Sequence, residues 1–157
     1  MKKILAAAAA AMTMAIVFSG CGGDTAPSKQ EQKRAVNPAD DLSAAKDGNY
    51  TAESRKDEMG SGRITLVIKD HKIKAAVFDG LNPDGVVKDE SYGKSDGEIK
   101  DEGKYKKAQL AVKAHKDYAQ QLVERQKLSE VDAIAGATVS YNQFVEATQN
   151  AIEKAKK

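Results

Sequence analysis

The chain has one cysteine, two histidines and no tryptophan among its 157 residues. A single cysteine, Cys21, excludes an internal disulfide and a thiolate metal site. His115 has no second histidine, methionine or cysteine at a spacing that would complete a haem or metal centre. No Ser/His/Asp constellation is present, so no side chain is required as a nucleophile or general base on a substrate. An excess of charge is missing too. Of 25 basic residues, Lys2 and Lys3 stand at the extreme N-terminus, and without them 23 basic residues balance 23 acidic ones. A neutral surface of mixed charge argues against a nucleic-acid role and against tight electrostatic docking on anionic lipid. The carboxylates Asp84, Asp89, Glu90, Asp96, Glu98 and Asp101 do not fall at EF-hand spacing, and lysines interleave them. They read as a solvated loop that is still able to cover a cofactor.

What is there begins with an N-terminal targeting pattern. Met1-Lys2-Lys3 is a basic n-region, and Ile4 to Val17 is an uncharged apolar run too short for a comfortable membrane span. Ser19 and Gly20 precede Cys21, and Val17-Phe18-Ser19-Gly20-Cys21 resembles a bacterial lipobox. That pattern implies a signal peptide over residues 1–20 and a diacylglyceryl group on the Cys21 sulfur. Residues 21–46 carry Gly-Gly, Pro27, Pro38 and many polar side chains, and read as a flexible linker. About 25 coil residues reach roughly 25–30 Å, a tether that lifts a domain off a membrane.

Residues 47–157 suit one small domain. Tyr50 to Ser54 reads as a strand. Gly62 to Lys69 is a stronger one, with Ile64, Leu66 and Ile68 on one face. Lys72 to Phe78 is a third, with Ile73, Ala75 and Val77 alternating against Lys72, Lys74 and Ala76. Asp70-His71 is a two-residue hairpin turn, and histidine tolerates positive φ well enough to explain His71 without a ligand. Gly103 to Gln126 is a helix whose stripe is Tyr105, Ala108, Ala111, Val112, His115, Ala119, Leu122 and Val123. His115 reads as a packed, hydrogen-bonded residue. A last helix runs from Tyr141 to Lys156, with Ser140 as N-cap and Gln143 completing a capping box. The expected fold is therefore α+β: an antiparallel sheet packed by two helices.

Between the helices lies Val131-Asp132-Ala133-Ile134-Ala135-Gly136-Ala137-Thr138-Val139-Ser140. Ala135, Gly136 and Ala137 are small neighbours that leave the Thr138 hydroxyl exposed. Gly136 lets the backbone bend and approach a ligand. The helix that follows offers unpaired N–H groups and partial positive charge, which suits a phosphate. Asp132 is placed to order the turn or to position a modifying enzyme. Taken alone, Gly-Ala-Thr before a helix also describes a plain connecting loop.

The wider pattern narrows the choice. Asp47-Gly48-Asn49-Tyr50-Thr51-Ala52-Glu53-Ser54 resembles the Asp-Gly-x-Tyr-x-Gly-Glu-Ser opening of the bacterial FMN-binding domain family, and Gly62 to Ile73 resembles the strand–turn–strand that follows it. Asp132 to Thr138 is similar to the family's flavin-attachment motif, and the likeness covers roughly residues 47–155. Ala135 stands where serine or threonine is commoner, and Ala52 stands at a frequent glycine. Leu81-Asn82-Pro83-Asp84-Gly85 occupies about the place of the Glu-Thr-Pro-Gly segment of membrane redox-complex members. The resemblance implies FMN esterified through its phosphate to Thr138, with Asp132, Ala135, Gly136 and Ala137 corresponding to the recognition motif and Ser140 expected among the cofactor-binding residues. It is closest to small extracytoplasmic lipoproteins of this family that act in electron transfer.

The expectation that follows is an electron carrier rather than an enzyme with its own substrate, lipid-anchored outside the cytoplasmic membrane of a bacterium. Its implied partners are a flavin transferase that uses FAD, a membrane quinone-linked reductase and a downstream electron acceptor. Tyr50, Tyr92 and Tyr141 are candidates to stack on the flavin ring, and packing explains each equally well. A non-redox surface binding lipoprotein and an accessory FMN subunit of an extracytoplasmic reductase fit the same residues.

Overall fold

A computed structural model describes residues 37–157. The expected signal segment 1–20, Cys21 and the linker as far as residue 36 lie outside the described residues. Among the described residues no helix is long and apolar enough to cross a membrane.

Three strands, β1 (Gly48–Glu53), β2 (Ser61–Lys69) and β3 (Lys72–Leu81), form an antiparallel sheet in the order β1-β2-β3. Ile64, Leu66 and Ile68 of β2 are all buried on one face, as their alternation requires. On the other face the Thr51 and Thr65 hydroxyls pair at 2.9 Å. Asp70 and His71 both have positive φ, 54° and 57°, the geometry of a type I′ hairpin turn. The His71 ring lies 3.2 Å from the Leu42 carbonyl oxygen, so its role is in the turn and its packing.

The face expected for β3 holds only at its start. Ile73 pairs with Ile68, but Val67 pairs with Ala75, so Lys74 is an extra residue in the ladder. A bulge of this kind reverses the parity of everything beyond it. Ile73 points inward, whereas Ala75 and Val77 are exposed, and Phe78 is buried instead.

Two helices cover the inner face, with α1 (Glu102–Arg125) over β3 and α2 (Thr138–Ala155) over β1 and β2. Asp101 caps α1 by accepting the Lys104 N–H at 2.9 Å. The buried stripe of α1 is Ala114, His115, Tyr118, Ala119 and Leu122. Tyr118 is fully buried and stacks on Phe144 of α2 with ring centroids 5.4 Å apart. Tyr105, Ala108, Ala111 and Val112, expected on that stripe, are only half-buried.

The start of the last helix differs from expectation. Helix α2 begins at Thr138, with Ala137 as an N-cap that makes no side-chain bond. Ser140 is therefore inside the first turn and is not the cap. Its side chain turns into the core, where the His115 imidazole offers a buried partner. Gln143 does not close a capping box either. Its Nε2 donates to Asp57 Oδ2 at 3.1 Å and to the Gly60 carbonyl at 3.2 Å, tying α2 to the connection between β1 and β2.

The domain also starts earlier than Asp47. Asn37 caps a 3-10 turn, Pro38–Asp40, and Ala39, Leu42 and Ala45 are buried in the core. Three apolar residues at spacing three fall on one side of this segment, which a polar average over residues 21–46 conceals. The Lys46 N–H donates to the Ala155 carbonyl at 2.9 Å, and Asp40 Oδ1 accepts the Ser129 N–H at 3.0 Å.

Helix side chains also meet the rims of the sheet. On β3, the Gln126 side-chain amide accepts the Ile73 N–H and donates to the Ile73 carbonyl, both at 2.9 Å. On β1, Asn150 donates to the Glu53 carbonyl and Lys154 to the Thr51 carbonyl, both at 2.8 Å.

Candidate functional site

The turn leading to Thr138 is fixed by a residue of the core. The Tyr118 hydroxyl accepts the Ile134 N–H at 3.1 Å and donates to the Ala137 carbonyl at 3.2 Å. The Ala137 N–H donates to the Ile134 carbonyl at 3.0 Å across the same turn. Gly136 lies at φ 83°, where L side chains are strained, and a Cβ there would come within 2.7 Å of Leu110 Cδ2. The backbone angle favours glycine here, while the Leu110 contact is with the tip of an exposed side chain that can move aside.

Thr138 is the first residue of α2 and is exposed. As in any helix, the N–H groups of Thr138, Val139 and Ser140 have no intrahelical acceptor. They open on a cavity of about 560 Å³ lined by the first turn of α2, by Ala108 and Ala111 of α1, and by Lys88, Tyr92 and Gly93 of the β3–α1 loop. Lys104 and Lys107 stand at its rim, exposed.

Lys88 is the unusual member of this wall. It is only 7% exposed, although lysine is rarely buried. Its N–H donates to the Gly80 carbonyl at 2.8 Å, which continues the β3 ladder into the loop. Its Nζ lies 5.0 Å from the centre of the Tyr92 ring, a cation–π contact. Burial lowers its pKa, and the Asp57 charge only partly offsets this. Asp57 itself is held elsewhere, by the Met59 N–H at 2.7 Å and by Gln143.

Beneath the cavity His115 is buried with both ring nitrogens engaged. The Gly80 N–H donates to Nδ1 at 3.3 Å, which leaves the proton on Nε2 to be donated to Ser140 Oγ at 3.1 Å. Burial, and then the neighbouring Lys88 ammonium, push its pKa from 6.5 down to about 4, against the opposing pull of Asp79. The ring therefore remains neutral at physiological pH. It approaches β3 so closely that a Cβ on Gly80 would lie 2.2 Å from His115 Cε1.

Of the residues singled out from the sequence, Gly136, Ala137, Thr138 and Ser140 share this cavity. Asp132 and Ala135 do not line it. The Asp132 carboxylate pairs with Arg125 at 2.8 Å, and its N–H donates to Gln121 Oε1 at 2.9 Å. Asp132 thus pins the loop to the end of α1. Among the three tyrosines, Tyr92 lines the cavity. Tyr50 donates to the Lys46 carbonyl at 2.9 Å and Tyr141 to the Val131 carbonyl at 3.1 Å.

Lys88, Met59, Lys104 and Lys107 did not emerge from the sequence as site residues. One signal for Lys88 was present. Asn82-Pro83-Asp84-Gly85 is a turn, and Val86-Val87 after it reads as a short return strand. Val87 does bridge back to Leu81, which places Lys88 beside Gly80. The carboxylates of this loop have local tasks: Asp89 accepts from Ser91, Asp96 pairs with Lys100, and Asp101 caps α1.

A second groove, of about 610 Å³, runs between β3 and α1 past Phe78, His115 and Val123. Lys88 lines both spaces, but Thr138 and Tyr92 line only the first.

The site suits a phosphorylated ligand of flavin size. It offers free backbone N–H groups, a lysine with a buried stem, an aromatic face and an open hydroxyl around one cavity. The model of the FMN-binding domain matches residues 58–153. An uncharacterized protein of Haemophilus influenzae is 32% identical over 124 residues, covering 71% of this chain and 94% of that protein. The crystal structure of the CPE2226 protein from Clostridium perfringens is similar in fold, with a TM-score of 0.56 and 25% identity over 71% of this chain and 89% of the other.

Proposed function

Since the chain belongs to the FMN-binding domain family, and is on that ground a flavin-binding protein, we propose that it carries FMN covalently through a phosphate ester on Thr138 and serves as an extracytoplasmic electron carrier. The observation that carries this reading is the exposed Thr138 hydroxyl at the first position of α2, in one cavity with three unpaired N–H groups and a buried lysine. When bound, the flavin supplies one- or two-electron redox chemistry, and the protein supplies position and electrostatic environment.

In this reading Thr138 Oγ1 is the attachment atom. It forms a bond to the FMN phosphorus of FAD as the pyrophosphate linkage breaks. AMP leaves, and the hydroxyl proton passes to a base of the flavin transferase. The N–H groups of Thr138, Val139 and Ser140 would hold the phosphate, and Tyr92 would offer a flat apolar surface to the ring. The His115–Ser140 bond and the Tyr118 clamp hold the first turn of α2 still.

Electrons would arrive from a membrane quinone-linked reductase and leave to a downstream acceptor. Lipidation of Cys21 would keep the domain at the outer side of the cytoplasmic membrane. Intact and peptide mass spectrometry on protein from its native host tests the core of this. The expected result is a gain of FMN minus water on the Thr138 peptide, absent in Thr138→Ala. An unmodified Thr138 peptide from cells that possess a flavin transferase overturns it. Membrane release on Cys21→Ser tests the anchor.

A further inference from the structure

The stem of Lys88 is buried, while its ammonium still reaches solvent at the cavity wall. Among the described residues no carboxylate lies within ion-pair distance of Lys88 Nζ. Asp57, the acid whose charge acts on it, is turned toward the Met59 N–H and Gln143. The ammonium lies over Tyr92, a residue of the Thr138 cavity and not of the groove between β3 and α1, so the charge is on the Thr138 side.

We propose that Lys88 is the docking cation of the site: it receives the ligand's phosphate at the start of α2 and holds it against Thr138 before any ester forms. This rests on the flavin reading of the Thr138 cavity and extends it to the unmodified protein. The three free N–H groups bring only partial charge to a phosphate dianion, and Lys88 brings a whole one. Its backbone is fixed by the bond to Gly80 and by the Val87–Leu81 bridge, so the charge waits in place. Lys104 and Lys107 are hydrated at the rim and serve attraction more than selection. One consequence follows: the protein binds FMN without attaching it.

The test uses the full chain made without a flavin transferase. FMN, riboflavin and inorganic phosphate are titrated against wild type, Lys88→Met, Lys88→Arg and Thr138→Ala, with thermal melting of each ligand-free protein. Loss of one charge-assisted contact predicts FMN binding weakened roughly 10- to 100-fold in Lys88→Met, partly restored in Lys88→Arg. Thr138→Ala should still bind FMN reversibly. Riboflavin, which lacks the phosphate, should bind wild type and Lys88→Met equally. Equal weakening for riboflavin would assign Lys88 to the ring and overturn the proposal, as would unchanged FMN binding in a folded Lys88→Met. Lys88-dependent binding of inorganic phosphate without any flavin binding would keep the anion site and overturn the flavin reading instead.

Discussion

His115 Nε2 lies 3.1 Å from Ser140 Oγ, joining the middle of α1 to the first turn of α2 directly under the Thr138 cavity. Because Nδ1 already accepts from Gly80, protonation of the ring would break that bond and set a second positive charge beside Lys88. Between pH 4 and 6.5 the unfolded chain binds more protons at this position than the folded one. The stabilisation is therefore complete above pH 6.5 and is lost as pH falls toward 4, up to about 3 kcal/mol. Urea unfolding at pH 7.5 and pH 4.5 should show this loss in wild type and a flatter profile in His115→Gln. Equal slopes in the two proteins would remove His115 from the account.

Tyr118→Phe deletes the hydroxyl that spans the Ile134–Ala137 turn while keeping the ring stack on Phe144. The half-buried Ile134 N–H loses its partner and the Ala137 carbonyl keeps only the Tyr141 N–H, at about 1–2 kcal/mol. Chemical denaturation should detect that cost. The fraction of Thr138 peptide carrying flavin should fall in the same variant although Tyr118 does not line the cavity.

Gly136→Ala meets both a positive φ and the Leu110 side chain at 2.7 Å. The expected destabilisation is about 1–3 kcal/mol. Pairing it with Leu110→Ala relieves the collision but not the backbone strain, so the double variant should recover only part of the loss. Full recovery would show that φ at this position is unimportant.

A chain shortened to begin at Asp47 loses Ala39, Leu42 and Ala45 from the core, whereas one beginning at Asn37 keeps them. Leu42→Ala alone should lower stability by about 2–4 kcal/mol. Thermal melts of the two truncations should separate clearly, and superimposable melts would make residues 37–46 a mere tether.

What could be seen in the sequence was whatever depends on neighbours along the chain. The alternation in β2, the positive-φ turn at Asp70-His71 and the exposed hydroxyl of Thr138 are local facts. The family likeness likewise pointed to the FMN-binding domain that residues 58–153 match. The features missed depend on partners far away. Ser140 has the right chemistry for a cap, and nothing nearby announces that His115, 25 residues earlier, takes its hydroxyl. Gln143 reaches back 86 residues to Asp57. The bulge at Lys74 depends on the strand opposite, and its effect is to expose Val77 and bury Phe78. Lys88 was hidden because a lysine among alternating charges looks solvated until the loop is folded over α1.

The side chains that meet the two rims of the sheet have a consequence for the protein's behaviour among copies of itself. An outermost strand offers unsatisfied backbone groups to any passing segment and so templates intermolecular pairing. The Gln126 side chain engages one rim at Ile73, while the Lys88 backbone N–H and the His115 ring engage it at Gly80; Lys154 and Asn150 engage the other at Thr51 and Glu53. Each of these contacts must be given up before a fourth strand can pair at its position, while β3 from Ala75 to Asp79 stays open along the second groove.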